Sequence, residues 1–133
     1  MFKMSSTFLR RVLATDALLG LAMGVSHLLA AEAMAERFGM PAPWLRWGAL
    51  IVLAAAAMAG WLATRSRPAA GAVRLLAAGN FGWVVASLWV VWGAGLSLTT
   101  LGMGWVLLQA VTVFVLAELE WGGASATPTL AAA

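Results

Sequence analysis

The sequence has no cysteine and no tyrosine, and its 133 residues include a single histidine. Without cysteine the chain cannot form disulfides, thiolate metal sites or cysteine redox centres. One histidine cannot supply both axial ligands of a haem within a chain. No HExxH, GxSxG or Walker-type motif occurs. The sequence therefore predicts no metal site, no cofactor and no enzyme activity.

Charged residues are also scarce. They make up 10% of the chain, against about 25% in a typical soluble domain. Hydrophobic residues make up 63%, more than a water-soluble fold of this size could cover. The eight basic residues lie at or near predicted helix ends, where they serve topology and contact lipid headgroups. The net charge of +3 therefore does not predict nucleic-acid binding.

Four apolar runs occupy most of the chain. Each has about 20 residues or more, enough to cross a hydrocarbon core of about 30 Å as a helix. Short connections between them favour antiparallel neighbours. We predict an all-α membrane protein, a single antiparallel up-down-up-down four-helix bundle over 1–123, followed by a flexible tail at 124–133. The spans lie at 12–31, 44–64, 71–94 and 99–121.

Local signals predict the helix ends. The Ser-Ser-Thr run at 5–7 offers N-cap residues for the first helix. This helix is expected to run as far as Phe38, beyond the lipid, because Gly39 supplies a C-terminal cap residue. The pair Gly122-Gly123 is expected to stop the last helix.

The basic residues predict the orientation of the chain. Six of them lie before the first span or within 65–74, and two lie on the opposite side. Because basic residues concentrate on the cytoplasmic side, both termini are predicted to be cytoplasmic. Five tryptophans at span ends match the aromatic belts of membrane interfaces: Trp44, Trp47 and Trp92 outside, Trp61 and Trp121 inside.

The first span carries four notable residues within about 80° of arc: Asp16, Gly20, Gly24 and His27. Gly20 and Gly24 form a GxxxG pattern, which favours close helix packing. One interpretation is a packing face, with Asp16 near the headgroups and paired with an arginine. The other is a polar path lined by Asp16 and His27, which lie roughly 16 Å apart along the helix axis.

Polar side chains in the third and fourth spans form a second candidate site. Asn80, Trp83 and Ser87 share one side of the third span, and Gln109 and Thr112 share a face of the fourth. An amide in hydrocarbon must find a partner, so we predict that Asn80 and Gln109 hydrogen-bond directly or through one water. This pair is either interhelical glue worth about 1 kcal/mol or part of a polar pocket between the first, third and fourth spans.

Two carboxylates lie near the end of the fourth span. Glu118 and Glu120 point to nearly opposite sides of the helix, and Glu120 continues the face of Gln109. At the cytoplasmic end, each is expected to stay hydrated or to pair with an arginine. A protonatable carboxylate in a proton path is the alternative.

Several stretches resemble uncharacterised small bacterial membrane proteins with four spans. They are the 13–20 run, the Gly79-Asn80-Phe-Gly-Trp83-Val-Val-Ala-Ser87 run, Thr100-Leu-Gly102, Gln109-Ala110 and Ala117-Glu118. Gly24-Val-Ser-His27-Leu-Leu and the later alanine-rich span give a fainter likeness to DoxX-type four-helix proteins. The resemblance implies the bacterial inner membrane and no catalytic residues.

Three functions remain open at this point. The first is a bundle that forms homo-oligomers or serves as an accessory subunit of another membrane protein, through faces such as Gly20 and Gly24. The second is a small channel or transporter with a pathway lined by Asp16, His27, Asn80 or Gln109. The third is a binder of a lipid or quinone wedged between helices, with its polar end at the amide pair.

Overall fold

A computed structural model of the protein describes residues 4–126, and helices form most of this part of the chain. In chain order they are α1 (Ser6–Leu29), α2 (Ala31–Phe38), α3 (Ala42–Ala63), α4 (Ala70–Trp92) and α5 (Thr100–Ala126). All except the short α2 are long and apolar enough to cross a membrane. The prediction of an all-α, four-helix membrane bundle is confirmed.

The first helix starts where the sequence predicts but ends earlier. Ser5 is the N-cap, and its hydroxyl oxygen accepts a hydrogen bond from the backbone N–H of Phe8 at 3.1 Å. α1 ends at Leu29, because Ala30 leaves the helical conformation, with φ −117° and ψ 23°. The expected continuous helix to Phe38 is therefore wrong. The break lets α2 turn and bury its apolar side. Gly39, with φ 70°, caps the C-terminal end of α2, and a cap at this glycine was predicted.

The last helix continues past its predicted stop. Gly122 and Gly123 lie within α5, which runs to Ala126. A Cβ atom on Gly123 would lie 2.7 Å from a methyl carbon of Leu9, so this glycine permits close approach to α1 instead of ending the helix. Ala124, expected in a flexible tail, is buried in the bundle. Residues 127–133 of the predicted tail lie outside the described residues.

The four long helices form two close pairs, α1 with α3 and α4 with α5. Glycines explain the first pair. A Cβ atom on Gly20 would lie 3.0 Å from the Cβ of Ala56, and one on Gly24 would lie 2.5 Å from Cγ of Leu53. Gly20 and Gly24 therefore lie against α3 of the same chain. Fewer contacts join α3 to α4, which leaves a gap that we call the α3–α4 groove.

The two ends of the bundle differ. Where α1 and α4 begin, a tightly buried apolar core fills the interior, formed by Leu9, Leu13, Leu62, Val73 and Leu76. At the opposite end, α2 packs against α3 and the start of α5. The groove therefore lies between a filled end and an end covered by a short helix.

The covering helix is held by the loop before α5. The backbone N–H of Thr99 donates to the carbonyl of Phe38 at 3.0 Å, and its hydroxyl donates to the carbonyl of Arg37 at 2.6 Å. Gly102 lies against the backbone of Phe38, where a side chain would clash. These contacts hold α2 firmly against α5.

Candidate functional site

The polar side chains of the interior divide into two groups. The first, which we call the acid cluster, consists of Asp16, Asn80 and Glu120. The second, which we call the indole cluster, consists of His27, Trp83, Ser87, Trp105 and Gln109. The predicted polar path from Asp16 to His27 is therefore divided between two clusters.

Asn80 holds the acid cluster together. Its side-chain Nδ2 donates to Oδ2 of Asp16 at 3.1 Å and to Oε2 of Glu120 at 3.0 Å. The three residues come from α1, α4 and α5 and are buried, with 8%, 7% and 0% of their surfaces exposed for Asp16, Asn80 and Glu120. One amide thus satisfies two carboxyl groups inside the bundle.

The second oxygen of Glu120 has no such partner. Its Oε1 is buried and makes no hydrogen bond within residues 4–126. Intramembrane carboxyl groups are costly and mark functional sites more often than amides do. This orphaned acceptor is the feature of the interior that packing alone does not explain.

Two expectations for the carboxylates are wrong. Asp16 pairs with Asn80 rather than with an arginine at the headgroups, and Glu120 is buried rather than hydrated. Arg10, six residues before Asp16 on α1, donates instead to the carbonyl of Ala63 at 2.9 Å. Glu118 is exposed, so the prediction that the two glutamates face opposite sides is confirmed.

Gln109 is the centre of the indole cluster. The indole N–H of Trp83 donates to its Oε1 at 2.6 Å, and its Nε2 donates to Oγ of Ser87 at 2.9 Å and to the carbonyl of Val106 at 2.8 Å. The predicted direct bond between Asn80 and Gln109 is absent. Each amide instead satisfies nearer groups, and Asn80 binds carboxylates, which are stronger acceptors than an amide oxygen.

The indole of Trp105 connects this cluster to α1. Its N–H donates to Nε2 of His27 at 3.1 Å, and Phe38 stacks on the same indole with ring centroids 5.9 Å apart. An acceptor Nε2 places the proton of a neutral imidazole on Nδ1. Trp105 lies about one turn before Gln109 on α5 and was not among the candidate residues predicted from the sequence. Thr112, which was selected, donates to the carbonyl of Leu108 in its own helix and belongs to neither cluster.

A cavity of about 340 Å³ opens between the indole cluster and the α3–α4 groove. We call it the indole cavity, because five tryptophans line it: Trp44, Trp47, Trp83, Trp89 and Trp105. His27, Ser87 and Gln109 supply its polar wall. The indoles of Trp44 and Trp89 stack across the groove at 5.9 Å between centroids.

A second cavity of about 290 Å³ continues along the same groove. It shares Met23, Ile51 and Trp83 with the indole cavity, and Asn80 forms part of its wall. Leu76, a member of the buried core, also lines it. The groove therefore leads from the indole cavity to the donor side of the acid cluster and ends against the core.

Fold and interior together define a small polytopic membrane protein with two polar clusters inside an otherwise apolar bundle. Comparison of the chain with models of protein families, with curated proteins and with solved structures gives no match. The geometry of the two clusters and the groove is therefore the basis for a functional proposal.

Proposed function

We propose that this membrane protein binds an apolar molecule of the bilayer that has a flat polar head, as a quinone has, in the indole cavity. The observation that carries the proposal is a cavity of about 340 Å³ with five indoles and a polar wall formed by His27, Ser87 and Gln109. Ligand sites commonly have cavities of about 300–1,000 Å³ with mostly apolar linings and a few placed polar groups. The proposal is one of binding without catalysis.

The chemistry of the walls favours a flat conjugated head group. Indole faces stack well on planar rings, and Trp44 and Trp89 already stack on one another across the groove. On the polar wall, the Nδ1–H of neutral His27 is a donor for a carbonyl oxygen. The Oε1 of Gln109 accepts one bond from Trp83 and has a second lone pair for a hydroxyl.

The groove offers a route for an apolar tail. Trp47, Ile51 and Trp89 line the cavity and are exposed over more than half of their surfaces, at 69%, 59% and 55%. In a bilayer these surfaces face lipid, so a tail can extend between α3 and α4 while the head stays in the cavity. With both termini cytoplasmic, as the basic residues predict, the head would lie in the outer half of the membrane.

The two other functions receive less support. A conduit within one copy needs an opening at both ends, but the groove ends against the core around Leu76. Self-association through Gly20 and Gly24 loses its support, because α3 of the same chain covers these glycines. A homo-oligomer or an accessory subunit that uses another face remains a prediction.

The test is a titration of the full chain in lipid nanodiscs with a short-chain ubiquinone analogue, followed by quenching of tryptophan fluorescence. Ala86 lines the indole cavity, whereas Ala78 is exposed on the same helix and lines neither cavity. We expect Ala86→Phe to weaken binding by about tenfold or more, equivalent to 1.4 kcal/mol, and Ala78→Phe to leave it unchanged. Equal quenching in all three proteins would show only that the quinone partitions into the bilayer.

A second readout distinguishes the ligand classes. His27 is the one histidine of the sequence, so selective ¹⁵N-histidine labelling gives an NMR signal from one known ring. The quinone should shift this signal in the wild-type chain and not in Ala86→Phe. Native mass spectra of the protein released from its own membrane then report the resident molecule. A phospholipid mass in place of a quinone mass would reassign the head group.

A further inference from the structure

We propose that the acid cluster is a proton-binding site, in which Asp16 and Glu120 share one proton and Asn80 clamps the pair. The ligand is the proton itself, taken up on a carboxyl oxygen with a gain of one positive charge by the site. No covalent bond to carbon changes. The inference does not depend on what fills the indole cavity.

The balance of charge in the acid cluster favours one bound proton. Oδ2 of Asp16 and Oε2 of Glu120 each bond to one nitrogen, at 3.1 and 3.0 Å. The two oxygens are therefore no more than about 6 Å apart, a separation at which like charges repel strongly in a low-dielectric interior. Asn80 is neutral and offsets neither charge. One bound proton removes this repulsion.

No cation of the surrounding helices balances the pair. Within residues 4–126, the arginines of these helices are exposed, and the one ion pair joins Arg46 to Glu32 at the other end of α3. His27 is buried in the indole cluster. The other charged or titratable groups on the four long helices are Arg10, Arg11 and His27 on α1, Arg46 on α3, Arg74 on α4 and Glu118 on α5.

The orphaned oxygen of Glu120 also favours a bound proton. Oε1 of Glu120 is buried and unpartnered within the described residues, and the carboxyl groups of Asp16 and Glu120 both contact the same nitrogen, Nδ2 of Asn80. A carboxylate can only accept, whereas a protonated carboxyl group also donates. A single proton therefore gives one acid a donor for the other, which supplies the bond that Oε1 lacks.

The geometry favours a proton over a metal ion. Asn80 turns its N–H groups to both carboxyl groups, whereas a hard cation would bind the amide oxygen. Within residues 4–126, no group of three or more His, Asp or Glu side chains is arranged to hold a metal ion. Asn80 lines the second cavity of the groove, so the donor side of the cluster is open to the groove, while the core closes the opposite side.

The sequence permits a test without mutation. Asp16 is the one aspartate and Asn80 the one asparagine of the chain. Cell-free synthesis with ¹³Cγ-aspartate and ¹⁵Nδ-asparagine therefore gives one carboxyl and one amide signal in solid-state NMR. With the full chain in lipid bilayers, pH is varied from about 4 to about 10, a range that extends well above the titration of free carboxylic acids.

We expect the Asp16 carboxyl and Asn80 amide signals to change together in a single step, because both groups belong to the one cluster that loses the proton. In the infrared spectrum, a protonated carboxyl band should be present at neutral pH and disappear in the same step. Asp16 and Asn80 signals that do not change above about pH 6, with no carboxyl band at neutral pH, would overturn the proposal, because free carboxylic acids are ionised there.

Variants provide an independent check. Glu120→Gln and Asp16→Asn replace one acid by an amide that can donate to the other, so both should fold and both should lose the neutral-pH carboxyl band. Glu118→Gln changes an exposed acid two residues from Glu120 and should keep the band. A band that survives both Glu120→Gln and Asp16→Asn would locate the proton elsewhere and refute the assignment.

Discussion

Replacing Asn80 by leucine isolates the contribution of the amide that links three helices. Leucine has the same number of side-chain heavy atoms and the same branching as asparagine but offers no donor, so both hydrogen bonds to Asp16 and Glu120 are lost while the site stays filled. We expect a large loss of stability. The amount of the loss distinguishes ordinary interhelical glue from a clamp on buried acids.

The two alternatives differ in magnitude. Hydrogen bonds between membrane helices contribute on average about 0.6 kcal/mol each, so two ordinary bonds would account for about 1 kcal/mol. Hydrogen bonds to charged groups contribute about 1.5–3 kcal/mol each. If Asp16 and Glu120 share one proton, one of the two acids carries a charge. Trp83 cannot replace the lost donor, because its indole N–H already binds Gln109. We therefore expect Asn80→Leu to cost about 3–5 kcal/mol.

The assay is reversible unfolding in mixed micelles by a denaturing detergent, with helix content and tryptophan fluorescence as probes. Ala78→Leu, at an exposed position of the same helix, is the matched control and should change stability by less than about 0.5 kcal/mol. If Asn80→Leu lowers the free energy of unfolding by less than about 1 kcal/mol, Asn80 makes only ordinary interhelical hydrogen bonds and does not stabilise a charged acid.

A double-mutant cycle with Glu120→Gln tests the cause of the loss. In that background, the new amide can donate to Asp16, so removing Asn80 should cost less than it does in the wild type. If the cost of Asn80→Leu is the same in both backgrounds, it arises from packing and not from the carboxyl groups.

Two further predictions follow from other contacts. Gly24→Ala should destabilise the bundle by about 1–3 kcal/mol, because the new methyl group meets Leu53. Gly82→Ala has no atom within 4 Å of the new methyl group and should be neutral or stabilising by up to about 1 kcal/mol; equal losses in thermal unfolding would contradict this reading of the glycines. Arg46→Ala breaks the exposed pair with Glu32 and should cost less than about 1 kcal/mol in low salt and nothing measurable in high salt. A larger, salt-independent loss would mean that Arg46 has a packing role.

Local signals in the sequence were sufficient to locate the spans and several helix ends. Hydrophobic length identified four membrane helices, and the preferences of Ser5 and Gly39 for caps identified two boundaries. The requirement that buried polar groups find partners predicted that Asn80 faces the interior of the bundle, where it is buried. These inferences depend on one helix at a time.

The hydrogen-bond partners within the acid cluster could not be predicted, because they depend on how far each helix extends. The glycines at 122–123 were expected to end the last helix, which placed Glu120 at the water boundary. The helix continues to Ala126, so Glu120 lies more than a full turn inside its end. Helical side chains lean toward the N-terminus of their helix, which directs Glu120 along α5 toward mid-bundle and Asn80.

Glycines and tryptophans have opposite effects on the spacing of the helices. Gly20 and Gly24 bring α1 and α3 together, whereas the stacked rings of Trp44 and Trp89 keep the ends of α3 and α4 apart. The groove is thus open because of the residues that line it. Trp83, in the indole cavity, and Asn80, in the acid cluster, lie one turn apart on α4. A shift of α4 that accommodates a ligand must therefore also move the donor that binds both carboxyl groups, which physically connects the two proposed sites.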